Sequence, residues 1–209
     1  FLIGSAMMAH DDLNAAVRRV LLGENKVCGL TREQDAQAAY ESGAIYGGLI
    51  FVEASPRAVT EEQARKVMAA APLSYVGVFR NASVADVAAK AEALSLSAVQ
   101  LHGDEDQAYI DALRVVLAPQ VQIWKAQSVG DTLPARNLNY VDKYVLDNGQ
   151  GGTGQRFDWQ LLNGEVLDNV LLAGGLGPDN CVDAAKTGCA GLDFNSGVES
   201  QPGIKDAGK

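Results

Sequence analysis

SYVGVFRNASVADVAAKAEALSLSAVQLHG (74–103) holds a strand, a helix and a second strand in one short stretch. The run 74–79 reads as a strand, Ser83 opens a helix over 83–94, and 98–101 is a strand again. Strands joined through a crossover helix lie parallel, so this stretch predicts a parallel sheet.

The rhythm holds in both directions. Toward the N-terminus, 60–70 reads as a helix opened by Thr60 in a TxEQ-like start, and 45–52 as a strand. Before these come a helix over 31–42 with Thr31 as its N-cap, ended by Gly43, and a short strand at 26–28. Toward the C-terminus the order is helix 105–116, strand 121–126, a poorly patterned segment 133–139, and strand 144–146. About one turn of helix at 157–162, strand 170–173, helix 180–186 and strand 191–194 complete it. Eight strands follow Asn25, each but the last trailed by a crossover. So many short units fit an α/β fold of the (β/α)8 TIM-barrel type better than a doubly wound sheet. The final helix of such a ring is missing, because the chain closes with SGVESQPGIKDAGK (196–209). An opening beside the first and last strands is therefore expected.

Residues 1–25 stand apart. They read as a strand at 1–5 and a helix over 12–22, capped by Asp11 and stopped by Gly23. Leu13, Val17, Val20 and Leu21 form its apolar stripe, and the helix is expected to cover part of that opening.

The 209 residues carry a net charge of −9, which disfavours polyanionic partners: nucleic acid and anionic membrane are excluded as expectations. Cys28, Cys181 and Cys189 form no CxxC and no cysteine–histidine cluster, so no metal site is expected. Sparse, odd cysteines suit a reducing, cytoplasmic compartment. No apolar run approaches the ~20 residues of a membrane span.

Barrel active sites form where strands end, so strand-end residues are the candidates. Cys28 ends the first strand and suits a base or nucleophile; as a small buried hydrophobe it would carry no chemistry. Asp147 ends the sixth in YVLDNG, either facing the pocket or forming a turn before Asn148 and Gly149. Together the two would set titratable groups on opposite walls of one mouth, as acid–base chemistry requires. Arg57, after the second strand, suits a carboxylate or is a solvated loop cation. His102, after the fourth, suits a substrate hydrogen bond or a helix cap. Gly174 and Gly175 follow strand seven, and Ser196 and Gly197 follow strand eight. Small residues in those two loops let backbone amides approach a phosphate. The loop GQGGTG (149–154) reads as a lid or a slack linker.

Seven segments together resemble the phosphoribosylanthranilate isomerase family. They are KVCGLT (26–31), FVEASPR (51–57), VGVF (76–79), VQLHG (99–103), LDNGQGGTGQRFDW (146–159), LLAGGL (171–176) and DFNSGVESQPGIKD (193–206). The resemblance implies an Amadori rearrangement of N-(5-phosphoribosyl)anthranilate in tryptophan biosynthesis, with no cofactor. It implies Cys28 as base, Asp147 as acid, and Arg57, His102 and Asp193 around the substrate. Gly174, Gly175, Ser196 and Gly197 would hold the phosphate. Residues 1–25 resemble the last strand and helix of indole-3-glycerol-phosphate synthase, which is fused ahead of the isomerase in enteric-type bacteria. A monomer natively fused to that domain is the implied state, with residues 26–209 as the isomerase barrel. Two other readings stand beside this one: an incomplete, inactive barrel that only binds phosphorylated ligands, and a different phosphosugar barrel enzyme.

Overall fold

The computed structural model describes residues 13–148 and 156–209. The expected strand at 1–5, the Asp11 cap and the 149–154 loop lie outside them. The strands are β1 (Lys26–Val27), β2 (Tyr46–Ile50), β3 (Ser74–Phe79), β4 (Ala98–Leu101), β5 (Gln122–Ser128), β6 (Lys143–Asp147), β7 (Val170–Leu172) and β8 (Gly191–Phe194). They form one closed parallel barrel in sequence order. The ring shuts where β1 pairs with β8, Lys26 opposite Asp193 and Val27 opposite Phe194. The opening expected beside these strands is thus absent from the sheet itself.

The outer layer consists of α2 (Glu33–Glu41), α3 (Glu61–Ala70), α4 (Val84–Ala93), α5 (Gln107–Val116) and the short α6 (Cys181–Ala185), preceded by α1 (Leu13–Leu22). A 3-10 turn, Trp159–Leu162, stands where one turn of helix was expected. Thr60 and Gln63 complete a reciprocal capping box on α3, and Ser83 caps α4 through the Asp86 amide. These starts follow the sequence because their hydrogen bonds are local.

Two starts differ. Helix α2 has Arg32 at its N-cap with no side-chain cap bond, because the Thr31 hydroxyl donates to the Gly203 carbonyl instead. Helix α5 begins two residues later than expected, behind an Asp106 cap, because the Glu105 carboxylate is taken by Lys125 and by the Asn81 and Gly103 amides.

After β8 the chain makes a 3-10 turn, Ser196–Val198, and an antiparallel hairpin of β9 (Glu199–Gln201) and β10 (Ile204–Lys205). Its tip accepts from Thr31, and the Lys205 amide donates to Asp35 at the head of α2.

Helix α1 meets the N-terminal rim of the barrel. Arg18 donates to the Tyr40 and Ala44 carbonyls and lies over the Tyr40 ring, while Arg19 lies over Tyr46. Its sequence stripe is not the buried face: Leu13, Val20 and Leu21 are exposed and Ala16 is buried. Stacking of the two arginines on tyrosines sets the helix rotation, which overrides the apolar period.

The core has two layers. One fills the space between strands and helices, with Leu49, Val99, Leu101, Ile110 and Ile123 fully buried. The other lies inside the ring, where Tyr46 meets Trp124 edge-on at 4.8 Å beside Val76, Ala98 and Val145. These side chains plug the N-terminal half of the barrel, and Glu24 pairs with Lys143 below them. The polar cavity is left at the C-terminal end.

Candidate active site

Strand side chains alternate, so every second residue points into the ring. Lys26 and Cys28 share one parity on the β1 segment, Val145 and Asp147 on β6, and Gln100 and His102 on β4 and just beyond. Their last members, with Arg57, Asp193 and the loops after β7 and β8, line one cavity of about 1000 Å³. The eight-strand closure brings together residues spread from position 28 to 196.

Cys28 is buried against β2, where Gly48 gives it room. A Cβ on Gly48 would stand 2.8 Å from Cys28 Sγ and 3.1 Å from Lys26 Cε. Lys26 is wholly buried and donates through Nζ to Asp193 Oδ2 at 2.7 Å. Burial pushes the Cys28 thiol up, and Lys26 opposes that; the net position is above the ordinary value. Burial pushes the Lys26 ammonium down, but Asp193 and Cys28 outweigh it, so it stays charged.

Asp147 ends β6 and accepts from the Asn148 amide at 2.7 Å. Burial pushes its carboxyl up to about 6, with the Asp193 charge adding and the Asn148 amide and Lys26 opposing. A carboxyl in that position holds a proton at mildly acidic pH and can donate it. His102 is lowered by burial and then by Lys26, so the imidazole is neutral at pH 7. It does not cap α5, which Asp106 does.

Arg57 lies on the cavity wall, but it is not a free cation. Its Nε and Nη2 donate to the two Glu199 oxygens at 2.9 and 2.7 Å, a fork-on-fork pair. Lys205 Nζ donates to the same carboxylate at 2.8 Å and to Asn195. Burial pushes Glu199 up, yet its bonds to Arg57 and Lys205 outweigh that and hold it ionised. Two cations share one anion; burial pushes the Lys205 ammonium down, with Glu199 opposing.

Gly174 and Gly175 have φ of 91° and 64°, a left-handed path open to glycine. The turn they make lets the loop after β7 lie against the one after β8. A Cβ on Gly197 would stand 2.0 Å from the Leu176 carbonyl oxygen, so this contact requires glycine. Gly174, Gly175 and Ser196 line the cavity, while Gly197 sets the spacing behind them.

Lys26, Glu199, Lys205 and Arg80 were not singled out from sequence. Lys26 has inward parity with Cys28 on a strand, which was a legible signal. Glu199 and Lys205 lie in a hairpin with no apolar period to flag it. Gln100 Oε1 and Asp193 Oδ1, both on the cavity wall, are buried acceptors without a hydrogen-bond partner among the described residues. They are placed to take donors from a ligand. Among the described residues there is no cluster of histidine, cysteine and carboxylate able to hold a metal.

Residues 25–209 match the model of the family described as N-(5'-phosphoribosyl)anthranilate (PRA) isomerase. The chain is 75% identical over 207 residues to the tryptophan biosynthesis protein TrpCF of Salmonella typhi, covering 99% of itself and 46% of that protein. It is 70% identical to the TrpCF of Yersinia pestis, covering 99% of itself and 43% of that relative. The chain thus spans about half the length of the curated relatives it matches. Among solved structures, phosphoribosyl anthranilate isomerase from Thermus thermophilus aligns with TM-score 0.79 at 30% identity, over 89% of this chain and 94% of the other. A phosphoribosyl anthranilate isomerase in complex with reduced 1-(o-carboxyphenylamino)-1-deoxyribulose 5-phosphate aligns with TM-score 0.73 at 32% identity, over 90% and 94%. A closed eight-strand barrel, a strand-end cysteine and aspartate on one cavity, and this match over nearly the whole chain place it in the phosphoribosylanthranilate isomerase family.

Proposed function

We propose that this chain converts N-(5-phosphoribosyl)anthranilate to 1-(2-carboxyphenylamino)-1-deoxyribulose 5-phosphate, an intramolecular aldose–ketose isomerisation in tryptophan biosynthesis. The observation that carries it is one cavity holding a raised carboxyl, Asp147, and a buried cysteine, Cys28, between the cluster of Arg57, Glu199 and Lys205 and a glycine-built pair of loops. Asp147 protonates the furanose ring oxygen; the C1–O bond breaks and the anilino nitrogen becomes a Schiff base. Cys28 as thiolate removes the C2 proton, which the cationic nitrogen has acidified. The electron pair moves to that nitrogen, and the enolamine tautomerises to the ketone.

The Nε–Nη2 edge of Arg57 is filled by Glu199, so the Nη1 end of the guanidinium is the edge for the anthranilate carboxylate. Gly174, Gly175 and Ser196 hold the phosphate, with Gly197 keeping the two loops in contact. His102 and Asp193 face the sugar. No metal or organic cofactor enters these steps. We further read residues 1–25 as the end of a preceding indole-glycerol-phosphate synthase barrel, which fits a family match beginning at residue 25. The chain acts as a cytoplasmic monomer within that fusion; no helix among the described residues is long and apolar enough to cross a membrane.

The test follows loss of the substrate's anthranilate fluorescence on adding the protein. Turnover supports the reading; a cooperatively melting chain with no turnover refutes it. Arg57→Ala should raise KM about 10- to 100-fold with a smaller change in kcat, as expected for a charged hydrogen bond of about 1.5–3 kcal/mol. Glu199 keeps Lys205 as its partner in that variant, so the site stays assembled. A substrate analogue lacking the carboxylate that binds the unaltered protein equally well would refute the Arg57 role.

A further inference from the structure

A buried charge pair stands beside the cavity: Lys26, to which the proposed chemistry gives no role, and Asp193 on the cavity wall. Lys26 has no exposed surface and sits in β1 two residues before Cys28, on the same face of the chain. Its ammonium is 2.7 Å from Asp193 Oδ2. Its stem and the Cys28 sulfur are packed against the same Gly48, which a single methyl group would push off both. A lysine and a carboxylate of this depth carry a desolvation cost that an apolar pair would avoid, so their retention at the floor of a reactive cavity calls for a use.

The charged groups around the sulfur come from several elements. Lys26 is on its own segment, Asp193 on β8, Lys205 on β10 and Arg57 in the loop after β2. Asp147 and His102 share the cavity. Lys26 is the largest of those favouring the thiolate. Lys205 is committed to Glu199 and Asn195, and Arg57 to Glu199.

We infer that Lys26 is a positioning residue for Cys28: held in place and kept protonated by Asp193, its buried ammonium stabilises the thiolate that acts as base. Asp193 thereby serves the base through Lys26, while its second oxygen, Oδ1, stays open to the substrate. The thiolate part rests on geometry and charge alone; only its catalytic consequence rests on the isomerase reading.

The test measures Cys28 alkylation by iodoacetamide against pH, in a Cys181→Ser, Cys189→Ala background. Lys26→Met should move the midpoint upward by about 1–3 pH units, the usual effect of a nearby opposite charge. Alkylation near neutral pH should slow about tenfold or more in step with that shift. Lys26→Met, Asp193→Asn removes both charges, so no unpaired carboxylate is left to repel the thiolate. Its midpoint should still lie above the parent's, because Lys26 outweighs Asp193 at the sulfur. A Lys26→Met protein that melts like its parent and keeps the parent midpoint overturns the inference, as does a double variant that restores it. In the unaltered lysine background, the Lys26 side-chain nitrogen resonance should shift with the Cys28 midpoint and lose that step in Cys28→Ala. A nitrogen resonance indifferent to Cys28 also overturns the inference, even if the lysine variants fail to fold. Isomerase activity absent throughout, with these shifts present, would reject the proposed reaction and leave the Lys26 role standing.

Discussion

Asp147→Asn is expected to lower kcat by about 10²–10⁴-fold, the usual contribution of a positioned general acid. The substitution keeps shape and the bond from the Asn148 amide, which an asparagine oxygen accepts equally well, so the barrel should melt as before. What is lost is the proton. The pH profile tests this more sharply than the rate. Where proton abstraction limits turnover, the reactive enzyme carries one proton in total, on Asp147, with Cys28 ionised. Asp147 loses its proton near 6 and Cys28 only above its ordinary value, so the singly protonated protein dominates between them. Hence kcat/KM should rise through about pH 6 and fall at high pH, with both values belonging to the coupled pair. In Asp147→Asn the contribution of Asp147 near 6 disappears, and residual activity climbs only as Cys28 ionises. Ionisation of the substrate phosphate, also near 6, would be common to both proteins. An unchanged kcat, or an unchanged low-pH limb after subtracting the substrate's own, would remove Asp147 from the mechanism.

Cys28→Ala should be equally severe, about 10²–10⁴-fold in kcat, the usual contribution of a positioned general base. His102 shares the cavity and is neutral, but turnover remaining in Cys28→Ala within tenfold of the parent would mean that it or another group takes the C2 proton. Cys28→Ser should fail almost as badly. A buried hydroxyl is far harder to ionise than a thiol, and Lys26 cannot close that difference. KM should change little in both variants, since neither side chain is assigned a binding contact. Solvent-hydrogen exchange at the substrate's C2 position reports the proton step directly. Its loss in both Cys28 variants, with binding retained, is the expected result.

Much of this was legible along the chain. Thr60 and Ser83 announced their helices because an N-cap hydrogen bond spans three residues and needs no distant partner. The bounds of β3, β4 and β8 were read without error, since buried parallel strands are short apolar runs with polar ends. The strand-end rule put Cys28 and Asp147 at the mouth. Readings that depended on a partner fared worse. Thr31 looked like a cap and instead holds the Gly203 turn. The stripe of α1 looked like its buried face, but arginine–tyrosine stacking turned it outward.

The sequence by itself therefore determined the order of strands and helices, the barrel class, and which residues stand at strand ends. Those properties are local, set by side-chain period and by hydrogen bonds within a few residues. Only the tertiary structure decided that Lys26 meets Asp193 across 167 positions, that Glu199 holds Arg57 across 142, and that the last residues form a hairpin against α2. It also decided the acid–base state of the site. Burial pushes Asp147 and Cys28 up and pushes His102 down, and burial exists only once β8 has closed on β1. A charge's partner and its distance from water are properties of the closed ring, and no local pattern in the chain encodes them.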